Sequence, residues 1–219
     1  MSDPILLEPS NGGLVHLLRP GISAAAPSVM LLHGLSGDER VVWVLEDALP
    51  PGAMVIAPRG PFALPESGYS WVSPDRSGWP DGQAFAPAVE ALAELVTRLE
   101  GRHGLDRGNL ILLGFSQGAA LAFAAAGDPR VRPAAVVAAS GFLPTGTIHG
   151  LGGLPVYWGH GTRDDRVLIT RARRDARRLR QAGADVTLCE TDVGHKLGVE
   201  CLRGLKIWLR QRFPGLSES

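Results

Sequence analysis

The sequence predicts an α/β fold: a mostly parallel central sheet with helices on both faces. Three observations predict it. Short apolar, β-branched runs recur along the chain with segments of helical periodicity between the later ones. Parallel neighbours need crossover connections, and helices supply them. The run Gly114-Phe115-Ser116-Gln117-Gly118 reads as strand, sharp turn and helix in immediate succession. The composition agrees, because 45% hydrophobic and 20% charged residues in a chain of 219 suit a globular protein able to bury a large core.

Strand-like runs fall, in order, at Leu14–Leu18, Val29–Leu32, Met54–Ala57, Asn109–Gly114, Ala134–Ala139, Val156–His160 and Val186–Glu190. A helix is expected from about Gln83 to Arg102, where Ala88, Ala91, Leu92, Leu95, Val96 and Leu99 share one apolar stripe. The small residues from Ala119 to Phe123 open a second helix directly after the Ser116 turn. Ile169, Ala172, Ala176 and Leu179 repeat at helical spacing. Val199, Leu202, Leu205 and Leu209 mark a last helix running to about Phe213, before the breakers Pro214 and Gly215. No repeat or linker interrupts this rhythm, so residues 1–219 are expected to form a single domain.

One stretch departs from the pattern. From Arg59 to about Gly82, Pro61, Pro65, Pro74 and Pro80 alternate with Phe62, Tyr69, Trp71 and Trp79. Long irregular loops in compact domains are usually functional, and aromatics on one can wall an apolar pocket. The competing reading is that these rings pin the loop to the body.

Lys plus Arg and Asp plus Glu both total 22, so no net field draws the protein to nucleic acid or to an anionic membrane. Met1-Ser2-Asp3-Pro4 has no basic start before a long apolar stretch, and no run reaches the ~18 apolar residues of a membrane helix. A soluble, cytoplasmic protein without stable membrane insertion is the expectation. Cys189 and Cys201 are too few for a disulfide framework or a four-ligand zinc site. Both are expected reduced and buried, with a single bridge as the competing reading.

Chemistry enters at Ser116. A serine on a strand-to-helix turn sits in a strained backbone with its hydroxyl exposed, and flanking glycines let strand and helix approach. An inert capping serine would give the same local pattern, so a base and an acid must follow. They do, in the order nucleophile, acid, histidine. After Val156-Tyr157-Trp158-Gly159 comes His160-Gly161-Thr162-Arg163-Asp164-Asp165, and Thr191-Asp192-Val193-Gly194-His195 lies between a strand and the last helix.

At this point the chain resembles the phospholipase/carboxylesterase family of α/β-hydrolases, which includes bacterial carboxylesterases and acyl-protein thioesterases. The resemblance spans nearly the whole chain. It is carried by Leu32-His33-Gly34-Leu35, Ala57-Pro58-Arg59-Gly60-Pro61, Gly68-Tyr69-Ser70-Trp71, Gly114 to Gly118, Ser140-Gly141-Phe142-Leu143-Pro144, His160 to Asp164 and Gly194-His195. It implies an α/β-hydrolase without a large cap domain. Ser116 would be the nucleophile, His195 the general base and then acid, and Asp164 the carboxylate that orients His195. Asp165 is the rival acid, and the family offset from His-Gly selects Asp164. The oxyanion hole would combine the backbone amides of Leu35 and Gln117. Trp71, Phe142 and Leu143 stand at positions that line the acyl pocket in relatives, with burial in the core as the competing reading. Ser36 replaces a glycine common in relatives, and Leu168 a proline.

The resemblance implies hydrolysis of a small acyl ester of short or medium chain, with thioesters and lysophospholipids within the family's range and no cofactor. Relatives are often dimers, and the long loop's aromatics could serve a homodimer interface. A ligand-binding module that has lost catalysis and an acyltransferase on the same scaffold are the alternatives. The remaining histidines read as structural: His16 in a strand, His103 at a helix end, His149 in a glycine-rich loop, His33 and His160 at strand ends. No metal site is expected from them. Arg171, Arg173, Arg174, Arg177, Arg178 and Arg180 read as a solvated helix face interrupted by Asp175, rather than a polyanion site.

Overall fold

A computed structural model of the protein describes residues 5–7, 13–23, 26–75, 78–147 and 149–213. The N-terminal Met1–Pro4 reading and the breakers Pro214 and Gly215 lie outside the described residues. Eight strands form the main sheet: β1 (Ile5–Leu7), β2 (His16–Arg19), β3 (Ser28–Leu32), β4 (Met54–Pro58), β7 (Leu110–Phe115), β8 (Ala135–Ala139), β9 (Pro155–Gly161) and β10 (Asp185–Thr191). A separate hairpin, β5 (Phe62–Ala63) with β6 (Tyr69–Ser70), stands apart from it. The helices are α1 (Ala86–His103), α2 (Gln117–Ala126), α3 (Ile169–Gln181) and α4 (Val199–Arg212).

The spatial order is β1-β2-β4-β3-β7-β8-β9-β10. β1 and β2 pair antiparallel at one edge, and β4 through β10 run parallel in that order. Each of the seven runs predicted as strands lies on one of β2, β3, β4, β7, β8, β9 and β10, with ends shifted by a residue or two. The short β1, the 3₁₀ segment Val41–Ala48 and the β5–β6 hairpin are additions. None carries a long periodic run, so sequence patterning had little to detect.

Side chains alternate across a strand, and here the alternation divides the core. Met30, Leu32, Leu112, Val136 and Ala138 pack with α1, α2 and α3 on one face. Val29, Leu31, Ile111, Leu113 and Val137 pack with α4 and the 3₁₀ segment on the other. Strands buried on both faces read as continuous apolar runs, which is why periodicity located them so readily.

The chain leaves β3 toward β4 on one side and returns to β7 on the other, so the strand order reverses beside β3. In open parallel sheets the carboxyl ends at such a reversal form the natural crevice. Gly118 makes the junction there close-packed: a Cβ on it would lie 2.1 Å from the carbonyl oxygen of Leu32, and one on Gly114 would lie 2.3 Å from the backbone of Gly118. α2 can approach β3 and β7 this closely only without those side chains.

The cysteines correct an expectation. Cys189 on β10 and Cys201 in the first turn of α4 form a disulfide, with Cα atoms 5.7 Å apart, instead of standing as separate thiols. Residues 192–198 turn the chain back so that α4 begins over the strand it has just left. Nothing in the spacing of two cysteines reveals that reversal. Among the described residues, no helix is long and apolar enough to cross a membrane.

Candidate active site

Four loops meet at the carboxyl ends of β3, β7, β9 and β10. Ser116, after β7, has φ 52° and ψ −113°, a left-handed conformation disfavoured for a residue with a Cβ. Two anchors hold it there: its N–H donates to Ala139 (2.8 Å), and α2 begins at the next residue. The strain directs Oγ out of the sheet toward the loop after β10. His195 Nε2 lies 3.0 Å from that oxygen, and His195 Nδ1 lies 2.8 Å from Asp164 Oδ2.

Asp164 is buried and highly organised. Its Oδ1 accepts from the backbone N–H groups of Arg166 (3.0 Å) and Val167 (2.9 Å), which leaves Oδ2 for the histidine. Asp165 is exposed and points into an outer groove instead. Of the two rival carboxylates, the fold brings Asp164 to His195. In this array the ring holds Nδ1–H toward the carboxylate and Nε2 toward the hydroxyl, the tautomer that can take a proton from Ser116.

His160 supports the acid loop. Its Nε2–H donates to the Val167 carbonyl (2.7 Å), and its Nδ1 accepts from the Trp158 indole (3.3 Å). Burial pushes its pKa down, which keeps the ring neutral. Leu168, in place of a relative's proline, has φ −56°, a value proline itself would adopt, so the loop keeps that path without the ring.

The backbone N–H groups of Leu35 and Gln117 have no acceptor among the described residues. Gln117 N opens α2, where the helix dipole favours negative charge. Leu35 belongs to the turn closed by Gly37 N–H donating to Gly34 O (3.1 Å), with Ser36 at φ 62°. This explains the glycine of relatives, since that turn position calls for positive φ. Here serine is held in the same conformation, its N–H donating to Tyr69 O (3.0 Å) and Tyr69 N–H to Gly37 O (2.9 Å).

Two further groups fix this loop, and sequence reasoning missed both as a pair. The Arg59 guanidinium donates two hydrogen bonds of 2.7 Å to the buried Glu39 carboxylate and lies 4.7 Å over the Tyr69 ring. His33 donates from Nδ1 to Gly34 O (2.7 Å) and accepts at Nε2 from Gly60 N–H (2.9 Å). Burial lowers its pKa and keeps it neutral. Arg59 holds the Glu39 carboxyl below the usual glutamate range. A depressed folded pKa contributes stability that is present above the ordinary value of ~4.3 and is lost as pH falls through the folded one. Thermal melts from neutral pH down to about pH 3 are therefore expected to fall more steeply for the wild type than for Glu39→Gln; parallel curves would contradict the linkage.

A cavity of about 540 Å³ opens beside Ser116, lined by Leu35, Leu64, Val72, Trp79 and Phe142 on its apolar side. Of the expected pocket residues, Phe142 lines it and Trp71 and Leu143 do not. Trp71 is fully buried, its indole N–H donating to His33 O (2.8 Å). Leu143 is also buried, and its backbone N–H donates to Asp175 (3.1 Å). Both readings of the long loop thus apply to different rings: Trp71 pins it, while Trp79 packs edge-on to Phe142 (4.7 Å) at the cavity mouth. Gln117 joins loop to elbow, its Oε1 accepting from Trp71 N–H (3.0 Å).

A largely parallel sheet with its switch-point crevice, a strained Ser116 after a central strand and loops from β9 and β10 converging on it define an α/β-hydrolase. The sequence agrees at family level. A model of the phospholipase/carboxylesterase family matches residues 18–212, and the chain belongs to that family of hydrolases. The fold is similar to that of a carboxylesterase from Bacillus cereus, with 23% identity, TM-score 0.81 and 92% of this chain covering 96% of the other. A carboxylesterase from Mesorhizobium loti gives 20% identity, TM-score 0.80 and coverage of 95% and 99%. Esterase PE8 gives 27% identity, TM-score 0.75 and coverage of 91% and 99%.

Proposed function

We propose that the protein is a serine carboxylesterase that hydrolyses short- to medium-chain acyl esters through an acyl-enzyme on Ser116. The observation that carries this reading is the continuous hydrogen-bonded array from Ser116 Oγ through His195 to the buried Asp164. His195 takes the serine proton as Oγ attacks the ester carbonyl, and the N–H groups of Leu35 and Gln117 receive the oxyanion. The imidazolium then protonates the departing alcohol. Water deprotonated by the same ring attacks the acyl-enzyme, and collapse returns Ser116 with the acid. A thioester enters the same sequence with a thiol as the departing group.

The cavity's apolar wall suits an acyl chain, and its size suits a short to medium one. Hydrolysis of p-nitrophenyl esters from two to twelve carbons tests the proposal. Turnover is expected to peak at short or medium length, and Ser116→Ala is expected to lose at least ~10⁴-fold in kcat. Absence of turnover across the series, or turnover that survives the substitution, would contradict it.

A further inference from the structure

The six arginines of α3 do not behave as one solvated face. Arg173 turns to Glu190, Arg180 donates to Val186 O (2.9 Å), and Arg178 faces Asp175 (3.9 Å). Arg171 and Arg174 also reach the buried Asp175, at 3.6 Å and 3.1 Å, yet with Arg177 they face a groove as well. Arg171, Arg174 and Arg177, with Arg166 from the acid loop, line a groove of about 650 Å³. That groove shares Trp79 and Arg166 with the cavity beside Ser116, so the two adjoin at those residues. Arg171 lies against two residues of that cavity, its guanidinium 4.0 Å over the Trp79 ring and 4.9 Å over Phe142.

Charge in the groove is unbalanced. Its opposing carboxylates are the exposed Asp165 on the wall and the buried Asp175, which already accepts from Arg174 (3.1 Å) and Leu143 N–H. Arg166 and Arg177 make no ion pair with any described residue. The N-terminus of α3 opens at the same place: Leu168 provides no side-chain cap, no acidic residue occupies the first turn, and Thr170 and Leu168 line the groove. Uncapped N–H groups, a helix dipole and several guanidiniums together favour an anionic oxygen group.

Building on the esterase reading above, we propose that this arginine groove binds an anionic group, a carboxylate or phosphate, carried by the substrate whose ester lies at Ser116. The enzyme then selects anionic esters over neutral ones of matched length. Two substrate pairs distinguish where the anion sits. Mono-p-nitrophenyl glutarate against p-nitrophenyl valerate places it on the acyl side. 4-Acetoxybenzoate against its methyl ester places it on the alcohol side.

In one pair, kcat/KM corrected for spontaneous hydrolysis is expected to favour the anion by about tenfold at low salt, as charge-assisted bonds of exposed groups allow. Arg166→Gln with Arg177→Gln is expected to abolish that preference, and ~0.5 M NaCl to reduce it sharply. Arg173→Gln, on the same helix but turned to Glu190, is expected to leave the ratio alone. Equal ratios in wild type and double variant, or no anionic preference in either pair, would overturn the proposal. Calorimetric titration of phenyl phosphate into Ser116→Ala reads the groove without turnover: binding lost in the arginine variants supports it, and no binding overturns it. Absence of all ester hydrolysis would instead remove the esterase reading and leave the titration to decide the groove.

Discussion

Asp164→Asn is expected to lower kcat toward a p-nitrophenyl ester by about 10³- to 10⁴-fold, with Asp165→Asn losing at least a hundredfold less. The asymmetry follows from the fold. Two backbone N–H groups fix Asp164 so that one oxygen is left for His195 Nδ1, while Asp165 is turned outward. An asparagine at 164 keeps the volume and most backbone contacts. It can offer its amide N–H to the ring, which favours the tautomer with Nε2 protonated and unable to accept from Ser116. The loss should fall on kcat rather than KM, because the carboxylate touches no substrate. An equal loss at both aspartates would mean that the acid loop acts through its fold alone.

Opening the Cys189–Cys201 bridge is expected to have the largest effect on stability. The bond closes a loop across a sequence separation of 12, and the chain-entropy account gives about 3 kcal/mol for one of that length. In a protein of this size that corresponds to roughly 6–12 °C in Tm. Inside the closed loop lies His195, so the bridge ties the end of β10 to the start of α4 on either side of the imidazole. Wild type treated with a thiol reductant, and the Cys189→Ala, Cys201→Ala double variant, should melt lower by similar amounts and lose activity at a lower temperature than the oxidised protein. Melting unchanged by both treatments would contradict the role assigned to the bond.

How far these features could be read beforehand follows from the range of the interactions that create them. Strands buried on both faces and helices with a single stripe print themselves locally, so β3, β7 and β8 were legible to within a residue, and α1 to within three, its expected first turn being the 3₁₀ segment Gln83–Phe85. The Ser116 elbow was legible from its glycine spacing, although only Gly114 is demanded by contacts within the turn; Gly118 is demanded by the backbone of Leu32 and His33 at the end of β3. The order Ser116, Asp164, His195 was also visible, although the preference for Asp164 over Asp165 came from family resemblance. Its physical basis, two N–H donors from residues 166 and 167, appears only when the loop is folded.

What the sequence hid depends on long-range return of the chain. The Glu39–Arg59 pair joins loops after two different strands, and the disulfide joins elements whose approach depends on a reversal at residues 192–198. Family motif positions alone made Trp71 and Leu143 pocket candidates, and such a position does not say whether a large apolar side chain lines the site or supports it from behind. The arginines of α3 looked uniform because helical spacing alone does not say which of them meet Trp79, Glu190 or Val186.

The central claim is that Ser116 is the nucleophile activated by His195. Peptide mapping by mass spectrometry after exposure to a fluorophosphonate tests it most directly, since that reagent phosphonylates activated serines. The account predicts one adduct, on the peptide that carries Ser116, absent from Ser116→Ala and strongly slowed in His195→Ala. An unlabelled protein, or a label on another residue that tracks the loss of activity, would contradict it.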